Sequence, residues 1–126
     1  MPSFGQQANT GAQCTKVDTV CSQYGFNSTM FPNYIGHVDA NSANTILKMI
    51  FDQTKFCVIS REKAEIIGCA ILIPVCMNNK KIPPCKEDCL EVITKCKINK
   101  ISGFQMAHMI CSIFPTQMSG QMCISR

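Results

Sequence analysis

The sequence lacks several residues and patterns on which enzymes and metal sites depend. It has no tryptophan, only two histidines (His37 and His108), and no Cys-x-x-Cys pair among its ten cysteines. Zinc ribbons and zinc fingers need such spacings. The Gly-x-Ser-x-Gly and glycine-rich phosphate-binding patterns of common catalytic sites are also missing. The sequence therefore predicts no enzyme, no metal centre and no cofactor.

Long hydrophobic runs are missing as well. The longest apolar stretch, Ile66–Met77, is shorter than the about 20 residues that cross a bilayer, and Gly68 and Pro74 interrupt it. Residues Met1–Gln13 are polar and have neither the basic start nor the apolar centre of a secretory signal peptide. We therefore expect a mature or excised fragment, with any membrane anchor of the parent protein outside this sequence.

Cysteine is unusually abundant, with ten in 126 residues. An even number at this density is typical of small extracellular domains that disulfides stabilise. We predict five disulfides and an extracellular location, on a cell surface or in a secreted protein. The number of cysteines leaves the pairing open, since ten of them allow about 945 connectivities.

The positive charge is concentrated in one region. The formal net charge is +4, and the stretch Lys80–Lys100 holds six lysines and three acids. Two interpretations remain open: a surface for a heparin-like or acidic-membrane partner, and an ordinary solvated helix face. The interleaved acids favour the second. No aromatic residue in this stretch can stack on a base, so we expect no nucleic-acid partner.

The pattern of apolar residues predicts one mainly helical domain, residues 14–126, after a flexible leader, residues 1–13. An extended segment, Cys14–Cys21, comes first. Asn41 or Ser42 is expected to cap the first helix, and Ser60 the second. The second helix runs into the apolar stretch 66–73 and should form the centre of the core. Pro83 and Pro84 start a third helix that carries Cys85, Cys89 and Cys96, a polar loop covers 77–81, and a short helix lies within 105–114.

One triplet predicts a covalent modification. Asn27-Ser28-Thr29 is an N-glycosylation acceptor within a predicted turn, which in an extracellular chain made by a eukaryotic cell favours a glycan on Asn27. The alternative is a chance match, because such triplets are common.

The order of cysteines and short motifs resembles the Frizzled cysteine-rich domain over Cys14–Cys123. The resemblance rests on all ten cysteines in sequence, with internal spacings of seven, four and seven residues around Cys69–Cys76 and Cys85–Cys96, and on three motifs. The motifs are Gly25-Phe26-Asn27-Ser28-Thr29, Phe31-Pro32-Asn33 followed by His37, and Gly103-Phe104. The family implies a compact helical bundle with a small amino-terminal strand pairing, and for His37 a structural hydrogen bond. It also implies the pairs Cys14–Cys76, Cys21–Cys69, Cys57–Cys96, Cys85–Cys123 and Cys89–Cys111.

The resemblance also implies a function. Frizzled domains bind lipid-modified Wnt proteins, and their groove borders the first helix, the Gly-Phe turn and the residue after the tenth cysteine. The Gln-Phe-Trp-Pro run of the receptors is here Lys48-Met49-Ile50-Phe51, which marks a divergent member. The implied lipid-contacting residues are Lys48, Met49, Ile50, Phe51, Phe104 and Ile124. The alternatives are that Phe51 and Phe104 belong to the core and that Met49 is exposed by chance.

Two hypotheses follow from this resemblance. The first is the ectodomain of a Frizzled-type receptor, or a secreted relative, that binds an acylated Wnt-type ligand or a fatty acid. The second is a lipid-binding, sterol-binding or targeting module of another extracellular protein, such as a receptor kinase, a membrane protease or a collagen. A seven-helix region encoded after Arg126 would favour the first. A weak homodimer is a further expectation.

Overall fold

The computed structural model describes residues 13–101, 104–105 and 107–125. The predicted leader, residues 1–13, lies almost wholly outside these ranges. Gly103 of the Gly-Phe turn is also outside the described residues.

The described residues form four α-helices, and the predicted mainly helical class is confirmed. The helices are connected by short segments, several of which are single 3-10 turns. The helices are α1 (Ala40–Gln53), α2 (Arg61–Leu72), α3 (Lys86–Lys95) and α4 (Ala107–Ser112), and the 3-10 turns are Val20–Tyr24, Thr54–Phe56, Ile98–Lys100 and Gln117–Ser119.

Local capping chemistry explains where α1 and α2 begin. Ser60 accepts a hydrogen bond from the Lys63 N–H, as predicted for α2. The prediction of Asn41 or Ser42 as the cap of α1 is wrong, because Asp39 accepts the bond from the Ser42 N–H at 2.8 Å and the helix begins at Ala40. This bond holds the pKa of Asp39 below its usual value. An extended Asp before a helix satisfies an otherwise unpaired backbone donor as well as Asn or Ser does.

The centre of the core is α2, as predicted. Every residue from Ala64 to Leu72 is buried, including the carboxylate-bearing Glu65. An α-helix that is buried all round must be covered by other elements on every side. Here α1, α3 and the amino-terminal segment pack against it.

Two short antiparallel strand pairs complete the fold. β1 (Thr15–Lys16) pairs with β2 (Ser28–Thr29), as the resemblance implies. The prediction of a polar loop over 77–81 is wrong: β3 (Val75–Met77) and β4 (Lys80–Ile82) form a hairpin. Its two turn residues, Asn78 and Asn79, have φ of 54° and 59°. Asn tolerates this left-handed conformation, which two-residue hairpins require, so the Asn-Asn pair was the available sequence signal.

The five disulfides have the pairing that the resemblance implies, and this prediction is confirmed. They connect the amino-terminal segment to α2 and to the β3–β4 hairpin, and α3 to the chain on either side of it. All ten cysteines are therefore used. Each bridge removes conformational freedom from the unfolded chain, which helps a small domain to stay folded.

One buried side chain organises the loop before α1. Asn33 is 4% exposed, and its Oδ1 accepts hydrogen bonds from the N–H groups of Ile35, Gly36 and His37 at 2.9–3.0 Å. Its Nδ2 donates to the Leu72 carbonyl oxygen and to His37 Nδ1, each at 3.0 Å. The loop is thereby fixed to the carboxyl end of α2, and His37 has the structural hydrogen bond expected of it.

Candidate ligand-binding surface

The first helix presents its sequence-predicted residues in different directions. Successive residues of an α-helix are about 100° apart, so Met49 and Phe51 are separated by about 160° around α1. Met49 is 47% exposed, whereas Phe51 is half-buried against the core. A ligand on one side of α1 therefore contacts Met49 or Phe51, but not both.

A hydrogen bond shows which element lies on the Met49 side. Gln53, one turn after Met49, donates from Nε2 to the Cys96 carbonyl oxygen at 3.2 Å. Cys96 is bonded to Cys57, at the end of the segment that follows α1. The Met49 side of α1 thus faces the carboxyl end of α3, where the chain continues through the turn Ile98–Lys100 to Phe104.

Two exposed apolar side chains flank this bridge. Phe56 is 75% exposed and Val58 is 79% exposed, on either side of Cys57. We call Met49 near the end of α1, together with Phe56 and Val58 on either side of Cys57 in the chain, the α1-end surface. Single exposed apolar residues are ordinary, but three at one end of a small domain are a candidate contact area.

Two of the predicted lipid-contacting residues lie beneath the surface of the molecule. Ile50 is 1% exposed and packs on α2 so closely that a Cβ added at Gly68 would lie 3.2 Å from Ile50 Cγ2. Phe104 is 2% exposed, and its carbonyl oxygen accepts a bond from the Ala107 N–H where α4 begins. Both side chains belong to the core in this structure.

Phe51 and Ile124 lie apart from the Met49 side. Asn44, seven residues before Phe51 and near it around the helix, accepts a bond from the Val20 N–H, so this side of α1 faces the amino-terminal 3-10 turn. Ile124 pairs with Pro84 at the start of α3. Gln53, one turn after Met49, is instead bonded to Cys96 at the other end of α3, about 15 Å away along that helix. The structure does not bring these residues together with Met49.

The charged residues of α1 and of the 3-10 turn Thr54–Phe56 after it are exposed. Lys48 lies on the solvent side of the helix, and Lys55 forms an ion pair with Asp52 at 3.0 Å, with both side chains more than half exposed. Such exposed pairs contribute about 0–1 kcal/mol. The Lys55–Asp52 pair does not cover the α1-end surface, whose three apolar side chains remain exposed to solvent.

A polar network centred on Glu65 connects α2 to the amino-terminal 3-10 turn. The Glu65 carboxylate is 6% exposed and accepts hydrogen bonds from the Tyr24 hydroxyl and, at 3.0 Å, from Arg61 Nε. Burial, together with the bond to the Glu65 carboxylate, raises the pKa of Tyr24 to about 12. Burial alone raises the pKa of Tyr34, which packs edge-on against Phe114, to about 12.

These shifts predict how the protein responds to alkali. Tyr24 and Tyr34 are the only tyrosines, and an unfolded tyrosine ionises near pH 10. Because folding raises both pKa values, the stability that the neutral phenols contribute is complete below pH 10 and is lost as the pH rises from 10 to 12. At about pH 11 the folded protein should show little tyrosinate absorbance, whereas the denatured protein should show most of it. Titration of the folded protein with a midpoint near 10 would contradict this.

An open depression of about 590 Å³ lies along α3. Its lining is charged, and the Lys63 ammonium contacts Asp88 at 2.9 Å as well as Glu91. Burial raises the pKa of Asp88, but hydrogen bonds from Lys63, Ser125 and Gln117 outweigh it and hold the pKa below its usual value. None of the six predicted lipid-contacting residues lines this depression, and its charges suit an ion-pair network that connects α2 to α3 better than an acyl chain.

The sequence similarity to known proteins agrees with the fold described above. The family model of the Fz domain matches residues 14–118. This chain belongs to the Fz domain family. Frizzled-1 of Xenopus laevis is 27% identical over 111 residues, which is 85% of this chain and 19% of Frizzled-1. The protein mom-5 of Caenorhabditis elegans is 31% identical over 99 residues, which is 76% of this chain and 17% of mom-5.

The Fz domain is an extracellular domain, in agreement with the five disulfides, and the predicted location is confirmed. The chain spans about a fifth of the length of these two relatives. Within residues 13–101, 104–105 and 107–125, no helix is both long and apolar enough to cross a bilayer. The same residues contain no group of three potential ligands close enough to hold a metal ion.

Sequence reasoning missed part of the α1-end surface of this Fz domain. Phe56 and Val58 were not predicted, because the apolar stripe of α1 ends at Phe51 and the residues beside Cys57 follow no periodicity. Their position next to a disulfide was a weak signal, since one of two neighbours of a cross-linked cysteine often points outward. Gln53 was missed too, because nothing in the sequence says that its amide reaches Cys96.

Proposed function

We propose that this Fz domain is the ligand-binding extracellular part of a Frizzled-type receptor, or of a secreted relative, and that it binds a lipid-modified Wnt protein through the α1-end surface. The observation that carries the proposal is the match of residues 14–118 to the Fz family model, together with the similarity to Frizzled-1 and mom-5. The exposed apolar side chains at the end of α1 support the position of the lipid contact.

Burial of apolar area is the physical basis of this interaction. An acyl chain gains about 0.8 kcal/mol for each methylene that leaves water. Met49 is unbranched and polarizable, so it can adapt its shape to a flexible chain. The Cys57–Cys96 bridge, with the Gln53 bond to Cys96, keeps the end of α1 next to the end of α3.

The decisive test is a matched pair of substitutions. Met49→Glu places a charge where the acyl chain would lie, and the loss of one buried methionine contact, about 1.5–3 kcal/mol, should weaken binding of an acylated Wnt about 10- to 100-fold. Met77→Glu is the control, because Met77 is 49% exposed, close to the 47% of Met49, but lies on the β3–β4 hairpin. Surface-immobilised domain and purified ligand give both affinities, and circular dichroism checks that both variants fold.

Phe56→Glu with Val38→Glu as its control repeats the test at a second position, because Phe56 is 75% exposed and Val38 is 74% exposed. Binding that is unchanged in Met49→Glu and Phe56→Glu would contradict the α1-end surface as the contact. Equal binding of acylated and enzymatically deacylated ligand would contradict lipid recognition. Failure of wild-type domain to bind either ligand would contradict the Wnt assignment itself.

A different lipid ligand is the second candidate. The observation that favours it is the first-helix run Lys48-Met49-Ile50-Phe51, which replaces the Gln-Phe-Trp-Pro of the receptors in a chain without tryptophan. A free fatty acid or a sterol would then bind the same surface in a lipid-binding or targeting module. Titration with an acylated Wnt protein and with cholesterol distinguishes the two candidates, since the first predicts binding of the Wnt protein and the second predicts binding of a sterol that carries no protein.

A further inference from the structure

The acids of the lysine-rich stretch 80–100 are already occupied within the fold. Asp88 and Glu91 both contact the Lys63 ammonium, which belongs to α2 and not to this stretch. The carboxylate of Glu87 accepts a backbone N–H of the last 3-10 turn at 3.1 Å. Along the sequence these acids offset the lysines between them, but in the folded domain a lysine from outside the stretch neutralises two of them. The structure therefore leaves lysines of this stretch without an acidic partner.

Two of these lysines, Lys97 and Lys100, follow the carboxyl end of α3. Both are exposed, and among the described residues neither forms an ion pair. Lys95, in the last turn of the helix, is instead paired with Glu91 at 3.5 Å. The Lys100 N–H donates to the Lys97 carbonyl oxygen at 3.1 Å, and a bond of this kind brings the two Cα atoms within about 7 Å. One turn, which we call the lysine turn, therefore carries two exposed ammonium groups.

The backbone of Lys97 has a conformation that is unusual for lysine. Its φ of 56° and ψ of 38° are left-handed. The other described non-glycine residues with positive φ are Asn78 and Asn79, whose short polar side chains tolerate this conformation. Glycine is the common residue at such a position just after a helix. Since stability alone would favour glycine, a lysine here indicates a use for its ammonium group in the folded domain.

The lysine turn lies close to the end of α1. The Cα atoms of Cys57 and Cys96 are 4.3 Å apart, so the Cα of Lys97 lies within about 8 Å of that of Cys57. Asp52 and Lys55, at the end of α1 and just after it, pair with each other at 3.0 Å and add no net charge. The positive charge of the lysine turn is therefore not cancelled by the element that lies next to it.

The location of the domain selects the class of anion. The Fz domain is extracellular, whereas the anionic leaflet of a cell membrane faces the cytoplasm. Sulfated polysaccharides carry many fixed negative charges outside the cell and are complementary to neighbouring ammonium groups. We propose that Lys97 and Lys100 bind sulfate groups of an extracellular sulfated polysaccharide. This inference does not rest on the lipid-modified ligand proposed above.

A charge-matched pair of double variants tests the site, with the full chain and immobilised heparin at about 0.15 M ionic strength. Lys97→Gln with Lys100→Gln should weaken binding about 2- to 30-fold, because two exposed charge pairs are lost. The control, Lys16→Gln with Lys80→Gln, should weaken it less than about 2-fold. It removes the same charge from exposed residues of β1 and β4, near the other end of α2, a helix about 18 Å long. Equal weakening in both double variants would overturn the site, because net charge alone would then explain binding.

Soluble competitors and vesicles identify the anion. Heparin should displace the natural chain from immobilised heparin, whereas desulfated heparin, which keeps its carboxylates, should not. Equal displacement by the desulfated polymer would overturn sulfate recognition, and a natural chain that does not bind heparin would overturn the site. Vesicles of phosphatidylcholine and phosphatidylserine should not bind the chain. Vesicle binding that Lys97→Gln with Lys100→Gln abolishes would assign the lysine turn to an acidic membrane surface instead.

The backbone of Lys97 provides a test in which stability and binding change in opposite directions. Lys97→Gly should raise the melting temperature by about 2–5 °C, because glycine adopts the left-handed conformation without strain, and should weaken heparin binding. Lys100→Gly is the control: its φ is not positive, so it should weaken binding without raising the melting temperature. A melting temperature of Lys97→Gly equal to or below that of the natural chain would overturn the claim that lysine lowers stability there.

Discussion

Replacing Cys57 and Cys96 together with serine should lower the free energy of unfolding by about 2–5 kcal/mol, which corresponds to a melting temperature lower by about 10 °C or more. The bridge closes a loop with a sequence separation of 39 residues, and Cys96 is 1% exposed. Removing it frees the unfolded chain and leaves two polar hydroxyls at a partly buried position. Calorimetry on oxidised protein measures the change.

Lys95→Ala is the control for this variant. Lys95 is the neighbour of Cys96, its side chain is 48% exposed, and it forms only a surface ion pair with Glu91 at 3.5 Å. Its replacement should change the free energy of unfolding by about 0.3–0.5 kcal/mol. Equal melting temperatures for the two variants would show that the bridge does not hold α1 to the end of α3, and the α1-end surface would lose its support.

Replacing Asn33 with leucine should lower the free energy of unfolding by about 3 kcal/mol or more. The Ile35 and His37 N–H groups and the Leu72 carbonyl oxygen lose the Asn33 side chain as partner, whereas the Gly36 N–H keeps its bond to the Asn33 backbone carbonyl oxygen at 3.2 Å. Each buried polar group left unpaired costs about 1–3 kcal/mol. Water can reach part of this loop, since Gly36 is exposed, so the costs do not add fully. Urea denaturation at constant m-value measures the loss.

Asn41→Leu is the matched control, because Asn41 is exposed on the first turn of α1. It should stay within about 0.5 kcal/mol of the natural protein. Amide hydrogen exchange adds a local readout: the N–H groups of Ile35 and His37 should lose protection in Asn33→Leu and keep it in Asn41→Leu. If both variants unfold at the same urea concentration, the Asn33 hydrogen bonds do not stabilise the loop.

The helical part of this Fz domain could be predicted because its signals are local. The Ser60 cap, the apolar stretch after it and the Pro83-Pro84 start of α3 each depend on residues within one or two turns of one another. The sequence signal for the β3–β4 hairpin was local too. The hairpin was missed because Asn78-Asn79 was interpreted only as part of a polar loop. The predicted cap of α1, Asn41 or Ser42, lies two or three residues after the observed cap, Asp39. All three residues have suitable side chains, and only the backbone conformation selects among them.

The candidate site was predicted less well than the fold. The run 48–51 was predicted from its resemblance to the Gln-Phe-Trp-Pro run of the receptors, yet the 100° step of a helix points Met49, Ile50 and Phe51 in three directions. An apolar residue such as Phe104 suits both a lipid-contacting position and a core position. Only its 2% exposure shows that it belongs to the core. The acids of the stretch 80–100 were interpreted as balancing its lysines, because nothing in the sequence shows that Lys63 of α2 contacts two of them.

The sequence by itself determined the class of this protein. Ten cysteines, their spacings and the motifs between them identify a disulfide-stabilised extracellular Fz domain, because covalent bridges and local turns depend directly on the type and order of the residues. Only the tertiary structure decided which apolar side chains remain in solvent at the end of α1 and which acids of the stretch 80–100 pair with a lysine from α2. Exposure and ion pairing depend on what packs against a residue from distant parts of the chain, and no local pattern encodes that.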